Sequence, residues 1–235
     1  MSDTAAPDAP LVLLPGLLCD ARLWRDAVAD LPGPPPLVAD LTLDETVGAM
    51  AERALAAAPP RFSLCGLSMG GYVAFEVVRR APGRVARLAL FDTSARPDTE
   101  EQSRRRRGLM ALTRSGAFRG VTPRLLPQLL HPSHLDGPLA GEVMAMAERV
   151  GREAFLRQQA AILARPDSRS TLAAVRVPTL VAVGAEDALT PSDLAAEIAA
   201  GIAGSVHVVL PGCGHLPPME EPRAVALLLR GWLAW

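Results

Sequence analysis

Residues 66–70 place a serine between two glycines and supply the best candidate for a nucleophile. They read Gly-Leu-Ser-Met-Gly, with Ser68 at the centre, an apolar run over Phe62 to Cys65 before them and Gly71 after them. This pattern is typical of a nucleophile elbow, a strand-to-helix turn so sharp that the serine adopts strained backbone angles. Side chains two residues away on either side would clash there, which accounts for the glycines. The alternative is a glycine-rich turn that packs a helix closely on a strand.

A histidine is needed as well, because a serine hydroxyl attacks poorly unless a base removes its proton. His215 ends the sequence Gly-Cys-Gly-His directly after the last predicted strand, where its imidazole can reach the carboxyl edge of a sheet. His207 lies within a strand, and His131 and His134 lie in a predicted helical insertion. We therefore predict that His215 is the base, with an ordinary surface histidine as the alternative.

The third group is an acid that orients the base, and Asp187 is our prediction for it. Residues 181–187 read as strand, turn and acid, and the order serine, acid, histidine along the chain is typical of a serine nucleophile at such a turn. Glu186 is the adjacent rival and would otherwise be a solvated loop carboxylate. Asp92, after the preceding strand, is a second rival, whose other expected role is to cap the first turn of the insertion.

Composition describes an ordinary globular protein. The 235 residues suffice for one domain with a full core and are too few for two independent ones. With 49% hydrophobic residues, 21% charged residues and a net charge of −1, nothing favours a nucleic-acid partner. All 24 basic residues are arginine and asparagine is absent, a pattern typical of GC-rich coding, so we expect a bacterial source.

The three cysteines indicate neither disulfides nor a metal site. Cys19, Cys65 and Cys213 are odd in number, widely spaced and not arranged as CxxC, which fits a reducing cytoplasm. The apolar run Leu11 to Leu14 lacks the positively charged flank of a signal peptide, and no stretch approaches the roughly 20 apolar residues of a membrane helix. We expect a cytoplasmic protein with no membrane partner, no metal and no cofactor.

Short apolar runs alternate with helical patterns, which predicts an α/β fold with a mostly parallel sheet and helices on both faces. The predicted strands are Leu11 to Leu14, Leu37 to Ala39, Phe62 to Cys65, Arg87 to Phe91, Thr179 to Val183 and Val206 to Leu210. The predicted helices are Asp20 to Leu31, one opened by a capping box at Thr42 to Glu45 and running to about Ala58, Met69 to Arg80, and two begun by Thr190-Pro191 and Glu221-Pro222.

This alternation is interrupted between residues 95 and 176, where the chain is rich in arginine and broken by glycine and proline. We interpret residues 95–176 as a helical cap insertion within a single domain over residues 1–235. Its expected helices cover residues 104–115 and 138–164, with boundaries that the pattern defines poorly.

Taken in order, four motifs resemble those of the α/β-hydrolase fold family over nearly the whole chain. They are Leu14-Pro15-Gly16-Leu17-Leu18, the elbow Gly66 to Gly70, Gly184-Ala185-Glu186-Asp187, and Gly214-His215 followed by Glu220-Glu221-Pro222. The resemblance implies an oxyanion hole formed by the backbone N–H groups of Leu17 and Met69. Without that role, the first motif is only a glycine turn before a helix.

The chain departs from the family pattern at two places. Many relatives have His-Gly where this sequence has Pro15-Gly16, but the oxyanion donor is the backbone of the next residue and should remain. Only ten residues precede the first strand, too few for the N-terminal hairpin of larger relatives. We therefore expect about six strands rather than eight.

The insertion corresponds to the family's cap, which roofs the active site and selects substrate. Arg104 to Arg107 could attract an acyl carrier, a coenzyme A ester or another anionic substrate, and the alternative is a solvated basic helix face. Met110, Met144 and Met146 could line an acyl pocket, with ordinary core packing as the alternative.

These residues predict a serine hydrolase that cleaves a small-molecule ester, lactone or thioester through an acyl-enzyme on Ser68. Fold and triad do not name the reaction, because related sites also support C–C bond hydrolysis and elimination. A C–C hydrolase or lyase is therefore one alternative, and a ligand-binding protein without turnover is another. Substrate identity and oligomeric state are left open by the sequence.

Overall fold

The central sheet contains six strands, and every neighbouring pair is parallel. The computed structural model describes residues 9–235. The strand order is β2-β1-β3-β4-β5-β6, which confirms the α/β fold and the expected six strands. The strands are β1 (Leu11–Leu14), β2 (Leu37–Val38), β3 (Phe62–Leu67), β4 (Val85–Phe91), β5 (Thr179–Gly184) and β6 (Val206–Leu210).

Helices cover both faces of this sheet because its central strands are apolar on both faces. Successive residues of a strand point to opposite sides. In β1, Val12 and Leu14 join one buried cluster while Leu11 and Leu13 join another. The helices are α1 (Arg25–Val28), α2 (Val47–Ala57), α3 (Met69–Arg80), α4 (Glu100–Leu112), α5 (Pro138–Leu163), α6 (Arg169–Leu172), α7 (Ser192–Gly201), α8 (Pro217–Glu220) and α9 (Pro222–Leu233). Residues of α2, α3 and α7 fill the first cluster, and residues of α1 and α9 fill the second.

The predicted capping box at Thr42 is wrong, because α2 begins at Val47. The hydroxyl of Thr42 donates a hydrogen bond to Asp40 over 2.6 Å, so this threonine closes a turn. The side chain of Thr46 accepts a hydrogen bond from the N–H of Ala49 over 3.1 Å and caps the helix instead. A second threonine four residues later therefore serves as the N-cap that we assigned to the first.

The segment after β1 forms less helix than predicted. Asp20 caps it, as its side chain accepts a hydrogen bond from the N–H of Arg22 over 2.9 Å. The chain then makes one 3₁₀ turn and the short α1, which ends at Val28 rather than Leu31. At the other end of the chain, α9 begins at Pro222 after Glu221, as predicted.

The segment between β4 and β5 carries α4, α5 and α6. The two long helices of the insertion, α4 and α5, were predicted at residues 104–115 and 138–164. Gly151 interrupts α5 with a φ of 82°, which kinks the helix. The N–H of Ser168 donates to the carbonyl of Ala95 over 2.8 Å, so the insertion leaves and rejoins the sheet layer at neighbouring points. Within residues 9–235, no helix is long and apolar enough to cross a bilayer.

Candidate active site

Ser68 occupies a strained turn between β3 and α3. Its backbone angles are φ 54° and ψ −114°, outside the regions that non-glycine residues favour. A Cβ on Gly66 would lie 2.5 Å from the carbonyl oxygen of Gly70, and one on Gly70 would overlap the carbonyl oxygen of Leu14. The strain at the serine distinguishes this turn from a merely compact one, because close helix packing alone does not require it.

Three predicted residues meet at the carboxyl end of the sheet. The hydroxyl of Ser68 lies 2.9 Å from Nε2 of His215, and Nδ1 of the same ring lies 2.8 Å from Oδ2 of Asp187. With the proton on Nδ1, the imidazole donates to Asp187 and accepts from Ser68. His215 and Asp187 are buried, with 4% and 5% of their surface exposed. The arrangement allows Nε2 of His215 to take the Ser68 proton while Asp187 fixes the orientation of the ring.

Asp187 is held as a carboxylate by the loop that follows β5. Its Oδ1 accepts hydrogen bonds from the N–H groups of Leu189 and Thr190, and Oδ2 accepts from the Thr190 hydroxyl over 2.5 Å. Burial opposes ionisation, but His215 and the Thr190 hydrogen bonds outweigh it and hold the pKa of Asp187 well below its usual range. Thr190 was predicted as a helix N-cap, but Pro191 occupies that position. The Thr190 hydroxyl donates its hydrogen bond to Asp187 instead.

Glu186 lies apart from this chain of hydrogen bonds. Its Oε2 accepts a hydrogen bond from the N–H of Cys213 over 2.9 Å, so the carboxylate faces the loop after β6 rather than the imidazole. The residue is exposed at its surface, as the alternative role of a loop carboxylate predicted. It braces the loop that carries the histidine.

Asp92 is fully buried beside the acid and does not cap the insertion, so that expectation is wrong. Its Oδ1 accepts a hydrogen bond from the N–H of Gly184 over 2.9 Å, and α4 begins eight residues later with Thr99 as its N-cap. Oδ2 is buried without a hydrogen-bond partner among the described residues. Burial, followed by the charge of Asp187, raises the pKa of Asp92 well above its usual range. Burial beside a second carboxyl group therefore favours the protonated form of Asp92.

Asp92, Asp187 and His215 together offer the ligand atoms of a possible metal site. Ligand atoms of Asp92, Asp187 and His215 all lie within 4.8 Å of one another. However, both ring nitrogens of His215 and both oxygens of Asp187 already take part in the hydrogen bonds described above. The set is better suited to moving a proton than to holding an ion.

Glu220 holds the loop that carries His215, a role that the sequence analysis did not predict for it. It is buried, and its two oxygens accept hydrogen bonds from the N–H groups of Gly214, Leu216 and His131. These bonds clamp the loop on both sides of His215. The sequence did contain a signal, since Glu220 follows the histidine at short spacing in the fourth motif.

The two predicted oxyanion donors border the serine. Leu17 and Ser68 line the same cavity, and no described residue accepts a hydrogen bond from the Leu17 N–H. Met69 is the first residue of α3, so its N–H has no acceptor within the helix. Gln158 of α5 fixes the first loop, because its Oε1 accepts from the N–H of Leu18 over 3.0 Å and its amide donates to the carbonyl of Leu41.

A cavity of about 590 Å³ opens from Ser68 and His215 toward the cap. Its wall is largely apolar and includes Leu17, Leu109, Phe118, Val143, Met146 and Phe155. Of the three methionines considered for an acyl pocket, only Met146 contributes to the wall of this cavity. Met110 is buried and Met144 packs against the second core cluster, as ordinary core residues do.

The Arg104 to Arg107 run divides between solvent and cavity. Arg104 is exposed and pairs with Glu100 over 2.9 Å, one helical turn away. Arg105 and Arg106 line the cavity, where Arg105 donates to Gln128 over 2.8 Å. The solvated-face interpretation therefore holds for only part of the run.

The three cysteines are buried and unpaired. Cys19 lines the cavity near the serine, yet burial raises its pKa to about 12, so it remains a thiol at neutral pH. A thiol is far less nucleophilic than a thiolate. Ser68 therefore remains our candidate for the nucleophile.

Comparisons with known proteins agree on one family. The model of the alpha/beta hydrolase family matches residues 11–227. A pimeloyl-[acyl-carrier protein] methyl ester esterase of Neisseria meningitidis serogroup B is 29% identical over 218 residues, which are 89% of this chain and 83% of the relative. An esterase of the same name from Aromatoleum aromaticum is 30% identical over 198 residues, 78% of each chain.

The solved structures show the same architecture. A thermophilic esterase from Thermogutta terrifontis, in its malate-bound form, superposes with a TM-score of 0.84 at 31% sequence identity. The match covers 97% of this chain and 90% of that one.

Proposed function

Because this chain belongs to the alpha/beta hydrolase family and is an ester-cleaving enzyme, we propose that it works through an acyl-enzyme on Ser68. The observation that carries the proposal is the hydrogen-bond chain from the serine hydroxyl through His215 to Asp187, at the base of a mostly apolar cavity. The proposed substrates are small esters, lactones or thioesters.

Acylation begins when Nε2 of His215 takes the proton of Ser68 as its oxygen attacks the ester carbonyl. The resulting imidazolium is stabilised by Asp187, which stays ionised because its pKa is low. His215 then gives the proton to the leaving alcohol or thiol, and the acyl group remains on the serine. Deacylation repeats these steps with water as the nucleophile, so the acid product leaves and Ser68 regains its proton.

The N–H groups of Leu17 and Met69 stabilise the negative oxygen that develops in both steps. Removal of one such donor typically lowers kcat by a factor of about 10²–10³. Support comes from Gln158, whose bond to the Leu18 N–H fixes the loop that presents the first donor. The second donor is fixed by the helix that begins immediately after the serine.

An acyl-carrier-linked ester belongs among the substrates to be tested. The relatives from Neisseria and Aromatoleum carry that substrate in their names. On this chain, Arg105 is exposed and also lines the cavity, so α4 presents positive charge where a substrate enters. A carrier protein or coenzyme A bears negative charge that such a rim attracts.

Labelling with a fluorophosphonate tests the mechanism. Peptide mass mapping should find the label on Ser68, and p-nitrophenyl esters of increasing acyl length should be hydrolysed in parallel. Ser68→Ala should lose both the label and the turnover. Ser115→Ala, which removes an exposed hydroxyl of the cap, is the matched control and should behave as wild type.

Retained turnover in Ser68→Ala would refute the assignment of the nucleophile. If the wild-type protein neither takes the label nor cleaves any ester, the acyl-enzyme mechanism itself is refuted. A chain-length optimum among the esters would map how far the acyl group extends into the cavity.

A further inference from the structure

The wall of the active-site cavity carries an excess of positive charge. Its lining includes five arginines and a single carboxylate, that of Asp98. Arg96 forms a two-bond ion pair with Glu197 over 2.9 and 3.0 Å, so its charge is already balanced. The arginines of the wall are Arg96, Arg105, Arg106, Arg119 and Arg165.

Asp98 is shared by two arginines. Its Oδ2 accepts a hydrogen bond from Nε of Arg106 over 2.6 Å, and its Oδ1 accepts from Nη1 of Arg165 over 2.7 Å. The three side chains are 3%, 22% and 6% exposed in the order Asp98, Arg106 and Arg165. One buried carboxylate thus faces two guanidinium groups, which leaves one positive charge unbalanced.

Both arginines also keep a free donor. The other bonds of Arg165 go from Nε to the carbonyl of Arg96 and from Nη1 to that of Ile162, and the second bond of Arg106 goes from Nη1 to Gln159. No described residue accepts a hydrogen bond from Nη2 of either side chain. A guanidinium presents its donors in a planar fork that matches a carboxylate.

The charge lies in the same cavity as the nucleophile. The guanidinium carbon of Arg165 sits 4.2 Å from the ring centroid of Tyr72, which also lines the cavity. Tyr72 follows Ser68 by one turn of α3, a rise of about 6 Å. An extended small molecule can therefore reach both Ser68 and Arg165.

We propose that the natural substrate is an ester that also carries an ionised carboxylate elsewhere in the molecule. This carboxylate binds Arg165 and Arg106 while the ester carbonyl lies at Ser68. The proposal rests on the function proposed above and adds the chemical class of the substrate. The bound carboxylate supplies the negative charge that Asp98 alone does not, in a cavity where an unbalanced cation is costly.

A purely structural role for these residues makes a different prediction. One arginine would be enough to pair with Asp98 within the cap, and neither would influence the choice between charged and neutral substrates. The two roles are therefore distinguished by the ratio of kcat/KM for a charged substrate to kcat/KM for its neutral counterpart, and not by a loss of activity.

The probes are mono-p-nitrophenyl esters of glutaric, adipic, pimelic and suberic acids, each compared with the neutral ester in which the free carboxyl is methylated. Acetyl esters of ω-hydroxy carboxylic acids place the charge on the alcohol side. In the wild type, kcat/KM for the best anionic probe should exceed that of its neutral partner at least tenfold, equivalent to about 1.4 kcal/mol. Added salt should reduce the ratio.

Two variants should move this ratio in opposite directions. Arg165→Gln removes the buried cation and should bring the ratio close to one, with most of the loss in KM. Asp98→Asn removes the competing carboxylate and should raise the ratio. Arg104→Gln, which removes an exposed arginine outside the cavity wall, is the control and should leave the ratio unchanged.

The neutral probe reports folding and the acyl-enzyme chemistry separately from the anion site. Normal neutral turnover with a wild-type ratio of one or less, or a ratio that Arg165→Gln leaves unchanged, would overturn the proposal. If Arg165→Gln fails to fold, Arg106→Gln and Asp98→Asn decide the matter in the same way. If no probe is cleaved, calorimetric binding of the free diacids to the wild type and Asp98→Asn still tests the anion site, and absence of binding refutes it.

Discussion

Replacing Asp92 by asparagine should make the protein more stable, and increasingly so as pH rises. Asparagine keeps an oxygen for the N–H of Gly184 and tolerates the φ of 44° at this position. It also places a neutral amide beside Asp187, where the wild type has a buried carboxyl group of raised pKa. The substitution therefore removes a titration without removing a contact.

The sign of the effect follows from the raised pKa of Asp92. Above the ordinary aspartate pKa of about 3.9, the unfolded chain releases this proton while the folded chain keeps it. Wild-type stability thus falls as pH rises, until the raised pKa of the folded state is reached. For one proton the slope is at most about 1.4 kcal/mol per pH unit, and the advantage of Asp92→Asn should grow steadily between about pH 5.5 and 7.5.

Urea unfolding of both proteins at several pH values in this window measures the difference directly. Melting temperatures provide a second readout, since 1 kcal/mol corresponds to about 2–4 °C for a chain of this size. Asp167→Asn is the control: Arg169 lowers the pKa of this exposed carboxyl to about 2, so its effect should be flat above about pH 5. A flat difference for Asp92→Asn would show that Asp92 is ionised in the folded protein and refute the reasoning.

Three further substitutions test the site. Thr190→Val removes a hydroxyl that stabilises the Asp187 carboxylate, so kcat/KM should fall about tenfold and its acid limb should move to higher pH, as a pH–rate profile would show; an unmoved limb would contradict this role. Gly70→Ala would overlap the Leu14 carbonyl and should lower stability by several kcal/mol, measured by thermal melting, whereas an unchanged melting temperature would contradict the tight elbow. Glu220→Gln leaves one acceptor oxygen for the loop that carries the base and should cost about 1–3 kcal/mol of stability together with a fall in kcat; unchanged stability and kcat would contradict the clamp.

The positions of the strands along the chain could be predicted because they depend on short-range patterns. Runs such as Leu11 to Leu14 are short and apolar throughout. This pattern is typical of strands that are buried on both faces of a sheet. Helix starts were harder to place. Thr42 and Thr46 are both capable N-caps, and the choice depends on where Asp40 and Ala49 lie in space.

The same difference between local patterns and long-range contacts applies to the candidate site. The positions of Ser68, Asp187 and His215 follow from local turns at the ends of parallel strands, which meet at one edge of the sheet. Asp92 is buried against Gly184, 92 residues away in sequence, and Asp98 pairs with Arg165, 67 residues away. No local pattern reveals such contacts.

The cap of this protein is not an exchangeable module. Gln158 of α5 holds the loop that presents Leu17, our proposed oxyanion donor, and the carbonyl of Leu129 accepts a hydrogen bond from the N–H of His215. The insertion therefore holds in place two loops to which we assign catalytic roles. A chimera that receives the insertion of a homologue would lose these two hydrogen bonds unless the new insertion supplies them. An exchange at the insertion boundaries must therefore keep Leu129 and Gln158, or residues that form the same bonds.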